Sequence, residues 1–291
     1  MIQEKLKYGH SVRLQFDIPK VELKEEKEIT INVDKDLLLS HNLNSSERKK
    51  IHLIIKPNVN ITIIEEFKGE TQLSDFSTKI LIGENAKVNY QSRQELSNNS
   101  TLIQNNLFNL ETNAKLKLLN VILGCKQLKH KTTVSLDGEG AECNNNVAYL
   151  SKEEQKFIIE TSNIHNAKHT SSNMLTKGVL DGKSKVVNTG VVRIEPHAWG
   201  SNGYQTGNHL LLSKTAEINP IPELEIGNHD VKCSHGVTVS RINDEKMFYF
   251  RSRGIPKEQA KIMFVKGFLS SAMNSLEQKK QEEILDQVNW K

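Results

Sequence analysis

Hydrophobic and polar residues alternate along most of this chain in short runs, which are rich in Ile and Val and are bounded by Asn, Lys, Gly or Ser. Alternation over so few residues is typical of β-strands joined by turns. Between about residues 50 and 250 no sustained 3.6-residue apolar period occurs, so this part is predicted to be all-β. The predicted strands lie at residues 29–33, 50–55, 60–64, 79–82, 87–92, 115–123, 132–136, 146–151, 156–161, 191–194, 209–212 and 224–226.

Three architectures accommodate many short strands, namely a sandwich, a propeller and a parallel β-helix. An immunoglobulin-type sandwich needs only about seven strands, and no blade signature recurs at about 40 residues, as a propeller would require. The pattern therefore predicts a parallel β-helix, right-handed like most parallel crossovers. Asn-rich segments such as Asn144–Asn146 are predicted to form its corners.

The C-terminal residues follow a helical period instead. Pro256 is suited to a first helical position, and apolar residues then recur at spacings of three and four residues up to Leu276, with Gly267 as an interruption. A second short helix is predicted between Glu277 and Trp290. The predicted organisation is an N-terminal arm (1–27), a β-helix core (28–250) and a C-terminal helical region (251–291).

The composition argues against several functional classes for this chain. With 36% hydrophobic residues, 25% charged residues and a net charge of +4, the chain lacks the basic excess of a dedicated nucleic-acid-binding protein. It contains no apolar run of about 18 residues and no recognisable secretory leader. We therefore expect a cytoplasmic protein with no nucleic-acid or membrane partner.

The three cysteines, Cys125, Cys143 and Cys233, are far apart and form no CxxC pair. This spacing argues against a disulfide framework and against a zinc site built by one chain. Cys125 and Cys143 are most simply small core residues. Involvement of either in sulfur chemistry remains open.

Cys233 and His235 have the same parity as Val231, Val237 and Val239, so an extended backbone places all five side chains on one face of a sheet. The residues alone favour a buried Cys and a hydrogen-bonded core His, while an interface or a ligand site is the alternative. His209 and His229 fall at predicted strand ends or turns, which favours solvent-exposed loop histidines.

A phosphate-binding loop is absent from the sequence. The segment from Gly178 to Ser184 has three residues between its glycines, whereas that loop has four. It predicts a β-turn at Asp181–Gly182 instead, and we expect no directly bound nucleotide.

Four segments together resemble the SufB/SufD family of iron–sulfur cluster assembly proteins, and the resemblance covers roughly residues 174–270. It implies a right-handed parallel β-helix whose C-terminal helical region docks the ABC-type ATPase SufC. It also implies that two such subunits, identical or distinct, pair through their C-terminal turns and build a transient Fe–S cluster at the joint. The segments are GVLDGKSKVVNTGVVRIEP (178–196), LLLSKTAEINPIPELEI (210–226), DVKCSHGVTVSRI (230–242) and MFYFRSRGI (247–255).

The motif from Cys233 to Gly236, CSHG, is similar to the SufD form. The resemblance implies that His235 lies at the subunit interface and that Cys233 and His235 are candidate cluster ligands. SufB proteins carry Glu where this chain has Gly236, and a sulfur-accepting Cys where it has Gly207, so we do not expect SufB-type sulfur acceptance. The ATPase-docking residues implied by the resemblance are Arg251, Arg253, Gly254, Ile255, Met263, Phe264 and Phe268.

Two other functions remain open at this point. A carbohydrate-active β-helix enzyme would need paired carboxylates or a basic residue along a groove, commonly with aromatic platforms, yet aromatic residues make up only 5% of the chain. A purely structural partner of SufC would carry no cluster. The expected function is a non-catalytic assembly scaffold, with ATP hydrolysis in the SufC partner.

Overall fold

The chain winds into a parallel β-solenoid of eight turns, in which successive strands alternate between two eight-stranded sheets. The computed structural model describes residues 2–3, 14–16, 23–242, 248, 250 and 252–286. The predicted parallel β-helix with C-terminal helices is confirmed. The first sheet contains β3 (Leu23–Ile31), β5 (Glu47–Ile55), β7 (Ser74–Ile82), β9 (Thr101–Leu110), β11 (Gln127–Leu136), β13 (Lys156–His165), β15 (Lys185–Ile194) and β17 (Glu217–Ile226). The second sheet contains β4 (Leu37–Leu43), β6 (Asn60–Gly69), β8 (Lys87–Leu96), β10 (Lys115–Ile122), β12 (Glu142–Ser151), β14 (Ser171–Leu180), β16 (Asn202–Leu211) and β18 (Lys232–Arg241). Two short strands, β1 (Ile2–Gln3) and β2 (Gln15–Phe16), pair antiparallel and apart from both sheets.

Each turn of the solenoid repeats after 24 to 32 residues, so residues of equal position stack in columns along the axis. At one corner of successive turns the backbone takes a left-handed conformation, at Asn58 (φ 63°), Asn85 (φ 58°) and Asn113 (φ 56°). Asn tolerates this conformation better than most residues with a Cβ.

The predicted corner at Asn144–Asn146 is wrong, because these residues lie inside β12, where Asn145 is buried and donates to Asn163 Oδ1 at 3.1 Å. The predicted turn at Asp181–Gly182 is confirmed, with Gly182 at φ 64°.

The interior between the sheets is apolar near the corners and polar along the middle. Strands β9 and β14, which the sequence pattern did not predict, point Gln104, Asn106, Ser172 and Thr176 inward, and all four are buried. Deeper in the stack, buried Glu65 accepts a hydrogen bond from Tyr90. A polar column therefore follows the axis of the solenoid.

Two helices, α1 (Lys257–Ser270) and α2 (Gln278–Asp286), pack against the outer face of the second sheet. Their buried residues contact outward-facing apolar residues of β10, β12, β14 and β16, so this sheet is apolar on both faces where the helices cover it. The helix predicted to continue to Leu276 ends at Ser270 instead. The side chains in this contact include Val265, Leu269, Met273 and Ile284 from the helical region and Leu119, Val121, Leu150, Val179 and Leu210 from the strands.

Polar contacts fix the helical region to the same sheet. Lys261 Nζ lies 2.8 Å from Asp181 Oδ2, and Asn146 Nδ2 donates to the carbonyl of Ala272 at 2.9 Å. Within the described part of the chain, no helix has both the length and the apolar character needed to cross a membrane.

Candidate functional site

The last turn of the solenoid is open in the part of the chain that the structure describes. β17 pairs with β15 and β18 pairs with β16, and each is the terminal strand of its sheet. Inward-facing side chains of these two strands therefore have a turn beneath them, and no further strand of the described residues covers them. An open solenoid end exposes side chains and backbone groups that every preceding turn buries.

The candidate ligand residues lie on this open end. In β18, Cys233 stacks on Gly203 of the preceding turn and His235 stacks on Gln205. Gly203 and Gln205 are buried, whereas Cys233 is half-buried and His235 is exposed. The reading of Cys233 and His235 as ordinary core residues is therefore wrong, although their shared face is confirmed. The same face continues with Val237, 36% exposed, and Val239, 45% exposed.

Across the open end, β17 presents its own inward face. Pro220 stacks on Asn188, Pro222 on Gly190 and Ile226, 42% exposed, on Ile194. Proline is tolerated in a strand where its missing N–H would face away from the paired neighbour. The free edge of β17 thus lacks two backbone donors, whereas β18 contains no proline.

The Cys233 thiol sits where the interior meets solvent. Burial raises its pKa above the ordinary value, and a hydrogen bond with the backbone of Gly203 opposes this rise. A Cβ at position 203 would lie 2.5 Å from Val192 Cγ1 and 3.6 Å from Cys233 Sγ, so the close packing beneath the thiol requires glycine. The thiol is accessible but remains largely protonated near neutral pH.

The other two cysteines are core residues, as predicted. Cys125 and Cys143 are fully buried several turns away from the open end. Burial raises the pKa of Cys125 to about 12 and raises that of Cys143 as well. Neither thiol is placed for chemistry at the last turn.

His209 is the residue that the sequence reading missed. The expectation of a solvent-exposed loop histidine is wrong, because the ring is fully buried inside β16, whereas His229 lies in an exposed turn as predicted. His209 has the same parity as Gly207 and Leu211, and this signal could have indicated an inward side chain. Its Nδ1 lies 2.9 Å from Tyr149 Oη.

The residues predicted to dock an ATPase belong to the helical region, which follows β18 in the chain. Arg251 is outside the described residues. Arg253 and Gly254 are exposed and Ile255 is half-buried. In α1, Met263 is 52% exposed, whereas Phe264 and Phe268 pack against the apolar cluster beneath the helices. Lys177 Nζ lies 4.7 Å from the centroid of the Phe268 ring.

A groove between α1 and α2 is the surface feature next to Met263. Its α1 side is formed by Met263, Lys266, Gly267 and Ser270. Gln281 and Leu285 are among the α2 residues that line the opposite side. The helical region therefore has one face bound to its own solenoid and a second face available to another molecule.

The described part of one chain does not gather a complete metal site. Among the described residues, no group of three or more His, Cys, Asp or Glu side chains gathers closely enough to hold a metal ion. Cys233 and His235 offer a thiol and an imidazole, which are ligand types suited to iron and iron–sulfur clusters. A metal or cluster bound there would need further ligands from elsewhere.

Comparison with known proteins identifies relatives over most of the chain. The family model for the SUF system FeS cluster assembly SufBD core domain matches residues 39–268. The chain is 36% identical over 155 residues to the iron–sulfur cluster assembly protein SufD of Escherichia coli, covering 53% of this chain and 37% of that protein. It is 26% identical over 250 residues to an iron–sulfur cluster assembly SufBD family protein of Synechocystis, covering 82% and 52%. SufD of Bacillus subtilis is 25% identical over 229 residues, covering 77% and 52%. The chain thus spans about half the length, or less, of these relatives.

Proposed function

Because the chain belongs to the SufBD family of the SUF iron–sulfur cluster assembly system, we propose that it is a non-catalytic assembly scaffold whose open solenoid end pairs with a second subunit. The second subunit is another copy of this chain or a different SufB/SufD protein. A transient Fe–S cluster forms at the joint as cargo, with Cys233 and His235 among its ligands. The observation that carries this proposal is the uncovered inward face of β18.

Pairing at this end follows from what the last turn exposes. Val237, Val239 and Ile226 present apolar surface that would be core in any other turn. The edges of two strands beside them have no hydrogen-bonded neighbour strand in the described residues. A second subunit placed on this end would bury the apolar surface and satisfy backbone groups of β18.

Pairing also supplies the missing ligands. In a two-fold joint the same residues of both subunits meet, so two chains bring two thiols and two imidazoles to one place. Thiolate is the usual ligand of iron–sulfur clusters, and imidazole can replace it on some irons. Iron binding favours loss of the Cys233 proton, because the metal stabilises the thiolate.

The ATPase partner is assigned to the helical region. SufC would bind the groove beside Met263, together with the exposed Arg253 and Gly254, while Phe264 and Phe268 hold α1 on the solenoid. The helices cover the outer face of the sheet that ends in β18. Closure of an ATPase pair would pull on this region and change the exposure of Cys233 and His235.

Cluster reconstitution tests the proposal. The chain is incubated anaerobically with iron, sulfide and SufC, and absorption and Mössbauer spectra are recorded. His235→Ala is expected to lower cluster yield at least tenfold. His229→Ala, which removes an exposed turn histidine six residues away, is the matched control and is expected to leave the yield unchanged.

Two results would reject the cluster assignment. Equal yields from His235→Ala and the unmodified chain would exclude His235 as a ligand. No cluster from the unmodified complex would favour a purely structural partner of SufC.

A further inference from the structure

The outer face of the first sheet, which the two helices do not cover, carries an apolar patch close to the open end. Ile158 of β13 and Val187 of β15 point away from the interior, yet they are only 5% and 4% exposed. The two residues are register partners, whereas the preceding turn has the charged Lys129 at the equivalent position. The patch therefore begins at β13 and extends towards the last turn.

At this place β13 and β15 are apolar on both faces. Phe157, Ile158 and Ile159 follow one another in β13, and Val186 and Val187 do so in β15, so inward and outward side chains are buried alike. A continuous apolar run is typical of a strand that is covered on both sides. The second sheet shows the same property only where the helices lie over it, so another element must cover the first sheet here.

The covering residue is Leu14, from the N-terminal segment that precedes the first solenoid strand. It is 7% exposed and forms one buried cluster with Ile158 and Val187. Leu14 comes before β3, the first strand of the sheet, but packs on strands close to the other end of that sheet. The contact thus joins the start of the chain to the last turns of the solenoid.

The same cluster extends to the terminal strand. Ile221 of β17 is partly buried and packs against it. Because Pro220 and Pro222 stack on inward-facing positions of β15, the Ile221 side chain between them points outward. Ile158, Val187 and Ile221 together are called the outer patch below.

The terminal strand β17 has few other supports. It is hydrogen-bonded to a neighbouring strand on one side only, and its residues are half-buried or exposed throughout. Ion pairs join it to β15 near its two ends, between Lys185 and Glu217 at 3.0 Å and between Arg193 and Glu225. All four of these side chains are more than one third exposed, and exposed ion pairs contribute little stability. The outer patch is therefore the main apolar support of β17 on its outer side.

We propose that Leu14 is a positioning residue, which holds β17 from outside and thereby keeps one wall of the open end in place for the second subunit. A strand with one neighbour and few buried contacts opens locally. A wall that is already ordered lowers the cost of association, because less conformational freedom is lost on pairing. The consequence for pairing rests on the proposed function, whereas the support of β17 rests on the contact itself.

Hydrogen exchange of the full chain, at a concentration too low for pairing, tests the contact. Leu14→Asp is expected to release the N-terminal segment from the outer patch, because a carboxylate avoids an apolar surface. Residues 217–226 of β17 are expected to exchange at least tenfold faster. Residues 101–110 of β9, which has a neighbouring strand on each side, are expected to exchange at an unchanged rate.

Leu38→Asp is the matched control. Leu38 is 62% exposed on β4, the strand at the opposite end of the second sheet, so the same charge there is expected to leave exchange of β17 unchanged. Leu14→Met keeps an apolar side chain of similar volume and is expected to retain the protection of β17.

Sedimentation then measures the consequence for pairing, with a second copy or with a different SufB/SufD subunit. Leu14→Asp is expected to raise the dissociation constant at least tenfold. Leu14→Met and Leu38→Asp are expected to leave it close to that of the unmodified chain.

Unchanged exchange of β17 in Leu14→Asp would overturn the inference. Equal acceleration in β9 would also overturn it, because Leu14 would then support the whole solenoid and not β17. Faster exchange of β17 with an unchanged dissociation constant would show that Leu14 does not position the joint. Failure of the unmodified chain to pair would reject the proposed joint instead, and the exchange result would still decide whether Leu14 holds β17.

Discussion

The exposure and the reactivity of the cysteines depend on whether another solenoid turn covers them. Cys143 and Cys233 are both inward-facing, yet Cys143 is 2% exposed and Cys233 is half-buried at the open end. Reactivity of a thiol follows its thiolate fraction and its access to solvent. Its greater access to solvent therefore makes Cys233 the most reactive of the three cysteines.

This separation predicts selective alkylation. With iodoacetamide at pH 8 the native unpaired chain is expected to take up one label, at Cys233, because Cys125 is 0% exposed and its pKa is raised to about 12. Mass spectrometry after proteolysis locates the label. Cys233→Ser is expected to prevent native labelling, and all three cysteines are expected to react in urea. Rapid labelling of Cys125 or Cys143 in the native chain would contradict the structure.

Parity along a strand could be read from the sequence, whereas burial could not. The alternation around Cys233 correctly placed this residue and His235 on one face. The sequence favoured core positions for both, because an inward position in the last turn has the same local pattern as one in any other turn. Cys233 and His235 are exposed because β18 is the terminal strand of its sheet in the described residues. The local sequence around them does not encode this position in the stack.

Among the elements, two of the strands that escaped prediction, β9 and β14, have polar residues on their inward faces. β9 points Gln104 and Asn106 into the interior, and β14 points Ser172 and Thr176 inward, so neither shows the apolar alternation of a half-buried strand. β6 was predicted because Ile61, Ile63 and Phe67 keep that alternation around Glu65. Stacking on neighbouring turns, and not local propensity, holds β9 and β14 in place.

The two C-terminal helices were predicted from the sequence, but their orientation on the solenoid was not. Their apolar spacing predicted their existence, but not which face would meet the solenoid. Phe264 and Phe268 pack against the apolar cluster beneath the helices, whereas Met263, next to Phe264 in sequence, is 52% exposed. The choice depends on the outward-facing apolar residues of β10, β12, β14 and β16, which are remote in sequence.

A charge on the inward face of β18 is predicted to weaken the proposed pairing of subunits. Val239→Glu would place a carboxylate within the proposed joint, where an unpaired buried charge costs about 3–5 kcal/mol. We expect the dissociation constant of the pair to rise at least 100-fold, as measured by sedimentation or light scattering. The substitution is expected to leave the single chain folded, because Val239 is 45% exposed there.

Thr238→Glu is the control for pairing. Thr238 is exposed on the opposite face of the same strand, so the same charge there is expected to leave the association unchanged. Equal effects of the two substitutions would argue against a joint formed by the inward face of β18.

At the scale of the whole molecule, the polar interior makes stability depend on pH. Burial lowers the pKa of His130, His165 and His209 to about 4, below the value of about 6.5 expected in the unfolded chain. Between these values the unfolded chain binds more protons than the folded chain. Stability is therefore greatest above about pH 6.5 and is lost as the pH falls towards 4.

Urea unfolding at pH 7.5 and pH 5 tests this dependence. Each of the three buried rings is expected to cost about 2 kcal/mol at pH 5 relative to pH 7.5. His165→Gln is expected to remove about one third of the loss, whereas His229→Gln, in an exposed turn, is expected to change it little. A midpoint that does not move between the two pH values would show that the rings protonate in the folded state.

The two prolines of β17 bear on whether the open end of the solenoid can stack into a filament. A regular solenoid end can template another end without limit, and chains that stack in this way grow into filaments. With Pro220 and Pro222 in the exposed edge, a newcomer finds carbonyls but no amide hydrogens at these two points. Edge-to-edge stacking is thereby disfavoured at β17, so the joint proposed above is expected to unite a fixed pair of chains instead of growing into a filament.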